Sequence, residues 1–254
     1  HPAHSPPAPR PAGPPRGRPP PHGPFPGTEG WETVFDFLQG YDLLGAFWTT
    51  IRLAVFSAVG ALVWGTALAA MRISPVPLMR GFGTVYVNVV RNIPLTVIIV
   101  FTSLGLFQTL GVTLGANDFT TINFRLAVLG LTAYTAAFVC EALRSGVNTV
   151  PLGQIEAARA IGLTFPQTLR LVVLPQAFRS VVGPLANVLI ALTKNTTVAA
   201  AIGVAEAAAL MRVMIENEAQ LLLISAVFAF GFICLTLPTG LFLGWVGRKV
   251  SVKR

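Results

Sequence analysis

A chain of 254 residues that is 53% hydrophobic, 11% charged and +8 in formal charge departs from the soluble pattern, in which about a quarter of residues are charged. That balance argues against a water-soluble fold. It argues equally against a nucleic-acid module, because the arginines and lysines form no single stripe with interleaved aromatics and instead punctuate apolar runs.

The first 30 residues hold 12 of the 20 prolines and all three histidines, without apolar periodicity. Such a composition cannot bury enough apolar surface to fold, so 1–40 is expected to be a disordered leader. It lacks the continuous apolar region of a cleaved signal peptide. No Met precedes Met71, so the native start lies outside this chain or at another codon, and the leader need not belong to the mature protein.

Five apolar segments follow, at 47–71, 84–107, 124–143, 181–202 and 221–246, each of the roughly 20 residues that a helix needs to cross a bilayer. The expectation is an all-α, polytopic bundle of five transmembrane helices over 41–250, with a basic tail at 251–254. Arginine and lysine are retained on the cytoplasmic side of short loops. Arg72 and Arg80 after the first span, Arg144, Arg159, Arg170 and Arg179 after the third, and Arg248, Lys249, Lys253 and Arg254 at the C-terminus therefore mark the inside. The loop at 108–123 has no basic residue, and that at 203–220 has Arg212 among Glu206, Glu216 and Glu218; both are expected outside. The N-terminus is then outside and the C-terminus cytoplasmic, with Arg10, Arg16 and Arg18 of the leader a mild exception.

Several chemistries fall away. With His1, His4 and His22 confined to the leader, the spans hold no Ser/His/Asp or Cys/His site and no histidine-based metal site. No catalytic residue and no metal ligand is assigned. Cys140 and Cys234 lie within spans and read as small buried residues rather than a disulfide. Lys194, Lys249 and Lys253 are the three lysines, and none follows glycine. The phosphate-binding G-x-x-x-x-G-K-[ST] loop is absent, so any ATP must be hydrolysed by another chain.

The loop between spans three and four is the most informative. Over 150–180, Pro151 suits a first helical turn, Gly162 a left-handed C-terminal cap, and Thr164 with Gln167 a capping box. Two short helices are expected, with Ala157, Ala158 and Ala160 leaving a low-relief face for another backbone. On periodicity alone, packing against the chain's own bundle is the preferred account.

Glu156, Ala157 and Ala158, then Gly162, then Val172, Leu174 and Pro175 resemble the EAA signature of binding-protein-dependent ABC importer permeases, with Val172 where Ile is usual. The stretches at 91–95 (RNIPL), 141–146 (EALRSG), 174–179 (LPQAFR) and 192–197 (LTKNTT) are similar to the polar amino-acid branch, and MRISPV at 71–76 resembles glutamate-uptake permeases. The resemblance covers 45–250. It implies a type I importer permease fold whose loop, a cytoplasmic helix-turn-helix, couples to an ATPase through Glu156, Ala157, Ala158, Gly162, Leu174 and Pro175. It further implies a bacterial cell-membrane protein working with an ATPase dimer that carries the ATP and Mg, a second identical or related permease, and an external solute-binding protein. No cofactor resides in this chain. Glutamate or a relative is the implied cargo.

Charged and polar residues in or beside the spans supply candidates for the path or gate: Arg91, Glu141, Arg144, Lys194, Asn195, Thr196 and Thr197. A lysine near mid-bilayer costs about 2.5–3.5 kcal/mol, so Lys194 either lines the path or pairs with Glu141 or a carbonyl to hold the bundle. Asn195, Thr196 and Thr197 share the path or bond between helices. Snorkelling accounts for Arg91 without function, and the resemblance makes it a gate candidate. Glu141 and Arg144 have the spacing of a helix-surface ion pair, or a role beside the coupling loop. Two other classes compete with the importer: an ion-coupled transporter or channel, for which Glu141 is the one carboxylate candidate, and a scaffold subunit without a path.

Overall fold

The computed structural model describes residues 40–250, and the leader at 1–39 and the tail at 251–254 lie outside them. Among the described residues every regular element is helical.

Helix α1, Leu43–Ile73, starts where Asp42 Oδ1 accepts from the Gly45 N–H at 2.8 Å. Its buried stripe of Ala46, Thr50, Leu53, Ser57, Ala61, Gly65 and Leu68 recurs every three or four residues and packs on α4, Phe119–Val147. The approach is close: a Cβ on Gly65 would stand 2.6 Å from Val139 Cβ and 2.8 Å from the Ala136 carbonyl oxygen. Small residues at such a seam let helices in lipid meet backbone to backbone. Asp118 caps α4, accepting from the Thr121 N–H at 2.7 Å, and this bond holds its carboxyl below the ordinary range.

The expected second span at 84–107 is not one helix. Helix α2, Pro77–Asn92, stops at Ile93, and α3, Leu95–Val100, departs at 106° before running on as a π-helix over Phe101–Thr109. Proline is the cause: Pro94 lacks an N–H and pushes Ile93 into an extended conformation (φ −93°, ψ 132°), which ends α2. Apolar composition conceals that break. The bundle therefore has four unbroken apolar helices and a fifth candidate crossing made of the bent pair.

The expectation of two short helices in the next loop is half right. Helix α5, Leu152–Ala160, is short and separate. Gly162 follows with φ +91°, and the Thr164 N–H donates to Gln167 Oε1 at 2.8 Å to start α6, Phe165–Thr168. α6 does not end before the span. It passes through a π-helical turn, Leu169–Val173, into α7, Leu174–Asn195, and then a 3-10 segment, Thr196–Ile202, so that 38 residues form one rod. The Leu174 N–H bonds five residues back to Leu169, a register slip that accommodates the missing donor and ring of Pro175.

The rod ends at Gly203, φ +80°. The segment at 203–220, read in the sequence as a plain loop, holds α8, Ala207–Glu218, before α9, Leu221–Val250. α4 sits centrally: α1 and α7 flank it, α2 leans on α1 and α4, and α9 packs on α7. Two apolar clusters fill the interior, one around Leu53, Ile99, Leu126 and Leu192, the other around Leu68, Val87, Ala136 and Val139.

Candidate functional site

One carboxylate collects the charges at the Ile73 end of the bundle. Glu141 of α4 forms an ion pair with Arg72, from the last turn of α1, and a second with Arg91 of α2, whose Nη1 lies 3.4 Å from Oε2. Arg72 Nη1 also reaches Cys140 Sγ at 3.9 Å. Arg91 is half exposed, and its guanidinium stands 5.7 Å from the centre of the Phe138 ring, close enough for a cation–π contact. Two arginines on one carboxylate leave the cluster net positive.

The Phe138 ring also lines a recess of about 270 Å³ between α4 and α7, together with Tyr134, Thr135, Asn187, Ala191 and Asn195. Thr135 is 3% exposed, and its Oγ1 has no partner among the described residues. On α7 the exposed positions Gly183, Asn187, Ala191 and Lys194 follow one another at three- and four-residue intervals, so Lys194 continues the recess face.

The candidate residues separate accordingly. Arg91 and Glu141 meet each other, and Asn195 enters the recess. Lys194 is exposed and pairs with no carboxylate among the described residues, so the Glu141 partnership does not form. Glu141 is saturated by arginines that reach it from other helices. The Glu141–Arg144 helix pair is absent for the same reason, and Arg144 instead lines a second cavity with Arg179. Thr196 Oγ1 donates to the Thr193 carbonyl at 2.7 Å and Thr197 Oγ1 to Lys194 at 2.8 Å. Both hydroxyls secure the change from α7 to the 3-10 turn rather than bonding between helices.

In the α5 segment Glu156 and Ala157 are exposed while Ala158 is buried, and Leu152 and Ile161 present 74% and 79% of their surface. Gly162 has nothing within 4 Å of where a Cβ would stand. Gln176 Nε2 donates to Gln154 Oε1 at 2.7 Å, tying α5 to α7. Leu174 and Pro175 are exposed on the rod.

Two participants escaped the sequence. Arg72 served there as a topology marker; as the last-turn cation of α1 it could have been matched to Glu141 across the bundle. Glu206 counted as a loop acid, yet it is fully buried. Its Oε1 accepts from the Ala209 N–H at 2.9 Å and its Oε2 from Thr50 Oγ1 at 3.4 Å, while Thr50 Oγ1 accepts from the Ala207 N–H at 3.1 Å. That network caps α8 and clasps it to α1. Glutamate is an unusual cap, which hid it.

A bundle of apolar helices, with a recess that carries Thr135, Asn187 and Asn195 among apolar side chains, is a multi-pass membrane domain. The chain belongs to the family of binding-protein-dependent transport system inner membrane components, whose pattern matches residues 61–252. It is similar to the glutamate transport system permease protein GluC of Corynebacterium efficiens, 54% identical over 220 residues that cover 85% of this chain and 96% of that one. To the glutamate/aspartate import permease protein GltJ of Escherichia coli it is 35% identical over 187 residues, 70% of this chain and 76% of that one. Its fold matches a crystal structure of an amino acid ABC transporter with histidines at a TM-score of 0.72 and 21% identity, covering 89% and 99% of the two chains.

Burial raises the pKa of Glu206 above its ordinary 4.5 despite the bonds to Ala208, Ala209 and Thr50. A carboxyl so raised contributes stability that is complete below the unfolded pKa and is lost as pH rises through the folded one. Thermal unfolding of the purified protein should therefore show the parental melting point falling with pH across that window, and Glu206→Gln should flatten the fall.

Proposed function

We propose that this chain is the permease subunit of an ATP-driven importer for glutamate or a related polar amino acid. The carrying observation is the recess between α4 and α7, bordered by Arg91 in the net-positive cluster and continued by the unpaired Lys194. Cations around a low-dielectric path attract an anionic cargo. The names of the relatives point the same way. An ion-coupled transporter would need a free intramembrane carboxylate. Both oxygens of Glu141 are engaged by arginines, which disfavours that reading.

The partners follow from what the surface offers. The recess opens along the exposed face of Gly183, Asn187, Ala191 and Lys194, a small and polar face suited to a second permease, identical or related. An external binding protein delivers the amino acid, and an ATPase dimer carrying ATP and Mg docks on α5 around Glu156, Ala157 and Ala158. Because α6 continues into α7 as one rod, a push on Phe165 or Pro175 moves Asn187 and Asn195 at the recess. Coupling is thus mechanical, and no covalent step occurs in this chain.

Lys194→Ala should lower glutamate uptake into vesicles about thirtyfold or more, the range for losing one partner of a desolvated charge pair, while the ATPase stays bound. Unchanged uptake would detach Lys194 from the path.

Gly162→Val tests the coupling. With open space around it, the variant meets no clash, and its cost is the left-handed backbone, about 1–2 kcal/mol for a residue with a Cβ. It should reach the membrane in normal amount yet hydrolyse ATP without driving uptake, because docking geometry must hold to about 0.5 Å. Parental uptake with the ATPase still bound would remove the coupling role.

The distribution of basic residues supports an orientation with the α5 end in the cytoplasm and the loop at 108–123 outside. An impermeant thiol reagent on intact cells should modify Asn117→Cys and spare Gln154→Cys, and the reverse pattern would invert the topology.

A further inference from the structure

A second cavity, of about 670 Å³, opens on the opposite side of α4 from the recess. Arg144 lies six residues beyond Phe138, about 240° around the helix, which turns it away from the path. Ala70 of α1, Leu143 and Arg144 of α4, and Phe178, Arg179 and Leu185 of α7 line this groove. Apart from Thr66 at its deep end, its walls are apolar up to the end where the two arginines stand. Neither arginine pairs with a carboxylate among the described residues, since Glu141 is taken by Arg72 and Arg91. Ile73 and Val147, the last residues of α1 and α4, lie at the end of the bundle where Arg72 and Arg144 close the apolar runs, and both border the groove. From Ile73 to Thr66, also in the lining, the groove runs about 10 Å into the span. That is a large part of one leaflet, whose hydrocarbon is about 15 Å deep.

An apolar slot about 10 Å long, with two guanidiniums toward its charged end that pair with no carboxylate among the described residues, has the complement of one kind of molecule. We infer that this groove is a binding site for an anionic phospholipid, its phosphate held by Arg144 and Arg179 and an acyl chain lying along Ala70, Leu143 and Leu185. Guanidinium presents a planar fork of donors that matches phosphate oxygens. Charge selects the lipid class: a zwitterionic headgroup brings a cation beside the arginines and forfeits most of the attraction. Leu174 and Pro175 line the same groove. A lipid seated there rests against the rod that carries motion from α5 to the recess, so anionic lipid content sets how firmly that rod is held. The inference rests on the membrane reading above, and on the proposed orientation only for naming the leaflet as cytoplasmic.

The test reads lipid contact directly, without transport. Leu185→Trp is placed in the full transporter assembly and reconstituted in vesicles of phosphatidylcholine and phosphatidylglycerol, with one or the other lipid brominated in its chains, and its added fluorescence over the parental protein is followed. Brominated phosphatidylglycerol should quench the reporter well above its share of the bilayer. In the Arg144→Gln, Arg179→Gln background that preference should fall roughly thirty-fold, the combined weight of two arginine–headgroup attractions. If that pair does not assemble, Arg179→Gln should lower it by roughly fivefold. Equal quenching by both lipids in the arginine-containing protein, or a preference that survives loss of the arginines, overturns the inference. So does a reporter shielded from both lipids until the ATPase is stripped away, which would give the groove to a protein partner. Both leaflets carry the brominated lipid, so an inverted topology leaves the result unchanged and is detected separately by the cysteine labelling.

Discussion

The arrangement of this bundle hangs on the cost of holding charge away from water. Glu141, with a third of its side chain exposed, stands in the central helix near the end of its span, where the apolar surroundings still disfavour a carboxylate without a cation beside it. Arg72 and Arg91 answer that cost from two other helices, so a single carboxylate joins the end of α1 and the end of α2 to α4. The consequence reaches the recess. Arg91, drawn to Glu141, is laid across Phe138, and Phe138 is a wall of the cavity between α4 and α7. Charge balance and the site are one construction.

Proline then decides which helices are levers and which are corners. At Pro94 the preceding residue turns extended and the chain bends by 106°, so α2 and α3 present Arg91 at a corner instead of along a straight span. At Pro175 the outcome differs, because a π-helical register slip absorbs the missing donor and the rod continues. An unbroken helical rod from Phe165 to Ile202 follows, running from the turn after α5 to Asn187 and Asn195 at the recess. The opposite end is fastened by a different device: Glu206 caps α8 and clasps Thr50, while Asn123 Nδ2 donates to the Ile202 carbonyl at 2.7 Å. The bundle is thus tied at both ends, with its small-residue seam between α1 and α4 in the middle.

Residue order was enough to establish an all-helical polytopic membrane protein, because apolar run length and the spacing of basic residues are local properties that the bilayer enforces directly. It was also enough for the turn at Gly162 and the capping box at Thr164, since a positive φ and an i to i+3 bond are settled within a few residues. The family, too, was legible in short motifs around Glu156, Gly162, Leu174 and Pro175. What residue order left undecided were choices among distant partners. Glu141 had Arg144 beside it in sequence and Lys194 as a rival, yet Arg72 and Arg91 take it, because helix packing brings the ends of α1 and α2 to α4. The burial of Glu206 likewise depended on α1 and α8 meeting at Thr50. Those outcomes are contacts between elements far apart in the chain, and only the tertiary structure could choose among them.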